Sequence, residues 1–205
     1  MEWNLLKKIS YSLRIGIVGS KELSKKIFLE SLRTTAIDSD LSNNKLEFLI
    51  IHKNIPIKIK VFLAVRLEDL IYNFDRIEKL DVLILTLNLY EQDSINYYNK
   101  ALVEEFSDVL SFQGLSVLVG MNIEQILNKP PSKSLKISRF HLEKLTRELD
   151  LIYCYEIYNN NKDVTDIYNQ ILNDFIFRFQ YSSPDLFEKA KIYGKHLQNE
   201  KVSLT

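Results

Sequence analysis

The stretch "LRIGIVGSKELSKKIFLESLRTT", residues 13–35, decides how the rest of the chain is read. Its opening, "LRIGIVG", is short, β-branched and closed by Gly19, the signature of a buried strand. From Ser24 onward, Ile27, Phe28 and Leu32 recur at helical spacing. A buried strand, a turn and an amphipathic helix make the first unit of an α/β sheet. The turn also runs close to the phosphate-binding pattern G-x-x-x-x-G-K-[ST]. Gly19 is its first glycine and Lys25 its lysine, but Ser24 replaces the second glycine and Lys26 the Ser or Thr.

Outward from this stretch, strands and helices alternate. "KLEFLIIHK" (45–53) and "IPIKIKVFLAV" (55–65) read as two strands joined by a tight turn at Asn54. Ile57, Ile59 and Val61 alternate with Lys58 and Lys60, the period of a half-exposed strand. Residues 66–80 are helical, with Leu67, Leu70, Ile71, Phe74 and Ile77 on one face. "DVLILTLNL" (81–89) is a nearly unbroken apolar strand, as expected when both sheet faces are covered. A helix over 93–110, capped by Asp93 or Ser94, leads to a strand over 115–122. Ser138 caps a helix over 138–150, followed by a strand over 151–158. The helix over 163–181 carries an apolar stripe of Val164, Ile167, Tyr168, Ile171, Leu172, Phe175 and Phe179. "TTAIDSDLSNN" and the paired-proline "NKPPSKS" (128–134) read as polar loops. The order predicts an α/β fold, a three-layer α/β/α sandwich. Its sheet is expected to be six-stranded and mostly parallel, with one antiparallel edge strand. Ser183 and Pro184 then restart a helix with Leu186, Phe187, Ala190 and Tyr193 on one side. The chain thus divides into an N-terminal segment (1–12), a domain (13–181) and a C-terminal helical extension (182–205).

Composition narrows the function classes. Lys+Arg and Asp+Glu are both 27, which gives no support for a nucleic-acid-binding domain. Hydrophobic residues at 46% suffice for a full core. Cys154 is the one cysteine, so no internal disulfide is possible, and a reducing, cytoplasmic setting is expected. No apolar run reaches membrane-spanning length, and neither a signal peptide nor a prenylation cysteine is read. The 5 glycines are few for a chain with several phosphate-approaching loops. "NYY" (96–98) and "YNNN" (158–161) read either as contact patches or as ordinary solvent-facing polar stretches.

The element order, with its hairpin after the first helix, resembles the small GTPases of the Ras superfamily over about residues 13–181. The resemblance implies a GTP/GDP site with magnesium, built from four loops. In the phosphate loop Lys25 matches the nucleotide lysine, while Lys26 offers no oxygen where a magnesium ligand belongs. Glu22 falls inside that loop, where a carboxylate facing a phosphate would cost roughly 4 kcal/mol at ~4 Å and an effective dielectric of about 20. Where the family has D-x-x-G, "FLAVRL" (62–67) places Ala64 for the aspartate and Leu67 for the glycine. Where the family reads the base with N-K-x-D, Met121, Asn122 and Glu124 stand instead. "EIYNNN" (156–161) keeps nothing of the last loop, and Thr34 and Thr35 compete for the switch threonine. "VLILTLNL" and "FQGLSVLV" are also similar to the middle section of the centromere protein M family of inactive relatives, on mostly apolar residues.

Core-building positions therefore match while chemistry-bearing positions do not. The expectation is a catalytically inactive, small-GTPase-like scaffold with protein partners, no catalytic residue, no cofactor and no metal. Its degenerate nucleotide positions are Gly19, Ser24, Lys25, Lys26 and Glu124. Lys25 is either a remnant phosphate ligand or a solvated first-turn lysine. The alternative is a divergent switch that still binds GTP or GDP with magnesium. A receiver-like protein is disfavoured, because "IVGSK" brings no acidic residue to the end of the first strand.

Overall fold

The computed structural model describes residues 11–19, 22–41, 46–74, 80–100, 112–128, 134–158 and 160–203. The paired-proline segment, the second half of the helix expected over 93–110 and most of segment 1–12 lie outside these residues. The strands are β1 (Tyr11–Val18), β2 (Asp38–Asp40), β3 (Glu47–His52), β4 (Ile55–Ala64), β5 (Val82–Asn88), β6 (Leu115–Met121) and β7 (Tyr153–Ile157). The helices are α1 (Glu22–Thr35), α2 (Leu67–Phe74), α3 (Gln92–Lys100), α4 (Ile123–Ile126), α5 (Arg139–Glu148), α6 (Asn160–Ser182) and α7 (Pro184–Ser203).

The sheet order is β2-β3-β4-β1-β5-β6-β7. β1, β5, β6 and β7 pair in parallel, while β2 and β4 both run antiparallel to β3. The protein is α/β with a mostly parallel sheet, as expected, but among the described residues the strands number seven and not six. The extra strand is β2, in the segment read as a loop. Its residues Asp38, Ser39 and Asp40 are all exposed and carry no apolar alternation. Only backbone pairing to Leu49, Phe48 and Glu47 makes them a strand. Aspartates on an edge strand also discourage pairing with other chains.

The chain gathers into two compact units. One holds the described residues of Met1–Leu13, Leu32–Val61 and Tyr168–Thr205. In it β3 and β4 form a hairpin closed by the His52–Ile55 pair. The turn residues Lys53 and Asn54 both have positive φ, 50° and 64°. That is the two-residue turn whose twist matches a hairpin, and it favours Asn-Gly. Replacing Lys53 and Asn54 by Asn and Gly should raise stability by roughly 0.5–1 kcal/mol, read as a shifted urea midpoint with unchanged slope. Glu47 holds Lys58 at 2.6 Å and Lys60 at 3.2 Å across the strand pair. These lysines, Lys58 first, keep its carboxyl below the usual range. The Tyr11 ring lies 6.1 Å from Phe175 and 5.1 Å from Phe179, and Phe179 meets Phe187 at 5.7 Å.

The C-terminal helix α7 packs back within this unit. Ala190, Tyr193 and Phe187 are buried, whereas Leu186 is half exposed. Gly194 lies so close to the hairpin that a Cβ would sit 1.9 Å from the Asn54 carbonyl oxygen. Across the same unit His52 Nε2 is 3.0 Å from Asn173 Oδ1.

The other unit holds the described residues of Arg14–Ser31 and Phe62–Ile167. β5 and β6 are buried at every position, and Leu83, Leu85, Leu118, Leu142 and Leu145 share one core cluster. Half-buried Cys154 packs against that cluster, and burial raises its thiol pKa. Leu67 and Leu70 of α2 are buried there, as their spacing predicts. Ser138 caps α5 with His141 in a reciprocal capping box. Neither expected cap of α3, Asp93 or Ser94, stands before it, since the helix already starts at Gln92. Among the described residues no helix is long and apolar enough to cross a membrane.

Candidate functional site

In a parallel α/β sheet, ligands bind beyond the carboxyl ends of the strands, where the chain changes direction across the sheet. Here the chain runs from β1 to the β2–β4 side and from β5 to the β6–β7 side, so the change of direction falls between β1 and β5, and the carboxyl end of β1 at Val18 and Gly19 is the place to build from. The Gly19 N–H donates to the Ala64 carbonyl at 3.1 Å. No described glycine has a positive φ, so Gly19 is needed for space and not for conformation. A Cβ on it would lie 2.0 Å from Thr86 Oγ1. Thr86 in turn donates to the Val18 carbonyl at 3.0 Å. The Tyr98 hydroxyl donates to the Val18 and Thr86 carbonyls at 3.3 Å and 3.1 Å. Side chains of β5 and α3 therefore close the carboxyl ends of β1 and β5.

The first turn of α1 carries the lysine singled out from the sequence. Its ammonium lies 2.7 Å from Glu22 Oε1, with the Lys25 side chain 6% exposed and that of Glu22 87% exposed. Lys25 is thus not the solvated lysine that one reading expected. It is a buried cation whose charge is met by a carboxylate three residues earlier. Ser24 is buried, and Lys26 is exposed. Glu22 is thus an internal anion on the Lys25 ammonium.

The D-x-x-G position is committed in the same way. Ala64 has no side-chain oxygen. Leu67 is fully buried, and its N–H donates to the Tyr97 hydroxyl at 2.9 Å. That hydroxyl donates onward to Glu68 Oε2 at 2.9 Å. The Asp69 carboxylate accepts the Arg66 N–H at 3.0 Å. Side chains therefore occupy the Arg66 and Leu67 amides at the start of α2. Tyr97 is half-buried, and burial first of all raises its pKa.

At the position that the resemblance aligns with N-K-x-D, Met121 is buried, and Asn122 caps the short helix α4. Asn122 Oδ1 accepts from the Gln125 N–H at 3.1 Å and from the Tyr90 hydroxyl at 3.0 Å. Glu124 is half exposed beside Tyr90, whose phenol pKa is raised by burial and then by that carboxylate. Beyond β7 the Tyr158 hydroxyl donates to Glu156, which is the main reason its pKa is pushed up to about 12. Thr34 and Thr35 fall in the last turn of α1, where the Thr35 hydroxyl donates to the Leu32 carbonyl at 3.1 Å.

The structure therefore joins Gly19, Ala64 and Thr86 in one cluster and Tyr90, Asn122 and Glu124 in another. It pairs Lys25 with Glu22. Thr86, Tyr97 and Tyr98 were not singled out as site residues by the sequence. "NYY" was read as a contact patch or a solvent-facing stretch, but Tyr98 is buried and Tyr97 half-buried. A signal was there: a threonine inside an otherwise apolar buried strand needs a hydrogen-bond partner. No protein-family model matches the chain, and a search of the curated proteins finds no match.

Proposed function

We propose that this chain is a catalytically inactive, small-GTPase-like protein that works as an interaction or scaffold subunit of a cytoplasmic complex. The observation that carries the reading is the burial of Lys25 on Glu22. A buried ammonium with a partner at 2.7 Å gains little from a phosphate that must first displace that carboxylate. Ala64, the Leu67 amide held by Tyr97 and the Asn122 cap support the same reading at the other loops. The second reading, a divergent nucleotide switch, keeps one support: Lys25 still stands at the start of a 14-residue helix behind a glycine.

Calorimetric titration with GTP and GDP, with and without magnesium, tests the choice. No heat of binding is expected up to millimolar nucleotide, in either the native chain or Lys25→Met. Micromolar binding that Lys25→Met abolishes, or nucleotide carried through purification, would establish the switch and end the scaffold reading.

A further inference from the structure

We propose that the groove between the second half of α6, the start of α7 and the β3–β4 turn is a self-association surface, occupied by the same surface of a second copy of this chain. The groove has a volume of about 560 Å³, and Lys53, Asp174, Phe177, Phe187, Glu188 and Lys191 are among its lining residues. All of them belong to the unit that holds the hairpin and α7. Phe177 lines the groove and is still 60% exposed. Its ring lies 4.7 Å from that of Tyr181, one helical turn on, which is 70% exposed. Single exposed apolar side chains need no explanation, but two aromatic rings packed on each other in solvent beside a groove do. A buried aromatic side chain removes roughly 150–250 Å² from water. At their exposures the two rings leave roughly 250 Å² uncovered per copy, about a third of the ~800 Å² that each partner brings to an interface of standard size. The groove walls add to that area.

Charge and shape name the occupant. A two-fold interface sets one patch against itself, so the patch must carry its own complement. The ammonium groups of Lys53 and Lys191 and the carboxylates of Asp174 and Glu188 line the groove together, in equal number. The two signs are interleaved, since Glu188 lies 3.9 Å from Lys191. A partner of one charge sign would meet its own sign in half of these groups, whereas a second copy brings both signs. In shape, the Phe177–Tyr181 pair is a ridge beside a hollow, and a copy related by a two-fold axis sets ridge against hollow twice. Aromatic side chains seated in a pocket are the usual anchors of a protein interface. The inference goes beyond the scaffold reading and does not require it.

The test is sedimentation equilibrium of the full chain from about 1 μM to about 1 mM, the range in which an interface below standard size dissociates. The mean mass is expected to rise with concentration from 24.1 kDa toward twice that value. Phe177→Gln with Tyr181→Gln should weaken association at least about tenfold, with the helical circular dichroism unchanged, since glutamine is a good helix former. Lys53→Glu with Lys191→Glu makes every charge lining the groove negative, and Asp174→Lys with Glu188→Lys makes every one positive. Each charge variant, its fold checked by circular dichroism, should associate less than the native chain, and an equimolar mixture of the two should regain the dimer mass. A chain that stays monomeric to the highest concentration would overturn the proposal and leave the surface to a partner of another sequence. Undiminished association of the Phe177→Gln, Tyr181→Gln chain, or a mixture no heavier than its components, would overturn it as well. None of these results involves a nucleotide, so the outcome is separate from that of the GTP titration.

Discussion

Raising the pH above about 10 is expected to unfold this protein steeply. Tyr98 and Tyr168 are almost fully buried, and burial raises both phenols well above their ordinary value. In the unfolded chain a phenol titrates near 10, so unfolding above that pH releases protons. The contribution is fully present below about pH 10 and is lost as pH climbs from there toward the raised folded value. Each such phenol removes about 1.4 kcal/mol per pH unit, so the pair removes about 3 kcal/mol per unit. Half-buried Tyr97 shifts in the same direction and adds a smaller share. Against a typical total of about 5–15 kcal/mol, two or three pH units suffice to unfold a domain. Far-ultraviolet circular dichroism and tyrosinate absorbance, followed together, should change in one coincident transition. Tyr168→Phe should flatten the slope of stability against pH by about 1.4 kcal/mol per unit. Gradual tyrosinate formation with circular dichroism unchanged would show that these phenols ionise inside the folded protein.

The second large effect is expected from Gly194→Ala. Two terms oppose each other. Alanine favours the interior of α7 by about 1 kcal/mol over glycine. Its Cβ, however, would lie 1.9 Å from the Asn54 oxygen and 2.7 Å from the Asn54 carbonyl carbon. Those are backbone atoms of a turn held with two positive φ values, and they cannot rotate away as a side-chain tip would. Overpacking of this kind costs about 3 kcal/mol, at the upper end of its usual range. The steric term wins, and the net loss is about 2 kcal/mol. For a protein of this size that lowers Tm by roughly 4–8 °C. Gly16→Ala is the control, because its Cβ meets only the methyl tips of Leu80 and Leu70, and a smaller drop is expected. An unchanged or higher Tm for Gly194→Ala would mean that α7 slides along the hairpin at no cost.

Much of the fold was legible because the buried elements announce themselves by period. The α6 stripe from Val164 to Phe179 is buried at every predicted position, and β5 at both faces. β2 was not legible, since an exposed edge strand is made by its partner's backbone and not by its own side chains. α7 showed its apolar side, but only the 1.9 Å approach of Gly194 to Asn54 shows where that side goes.

For the candidate site the division is sharper. Which groups of the small-GTPase pattern are absent follows from residue type: Ala64 has no oxygen, Lys26 no hydroxyl and Met121 no amide, and no folding supplies them. What became of the groups that remain was decided by the tertiary structure alone. Lys25 is buried on Glu22, the Leu67 amide is held by Tyr97, and Asn122 caps α4. The physical reason is that residue type fixes what a group can do, whereas hydrogen bonding and burial are set by neighbours. Tyr97 reaches Leu67 from 30 positions away, a contact that no local pattern encodes.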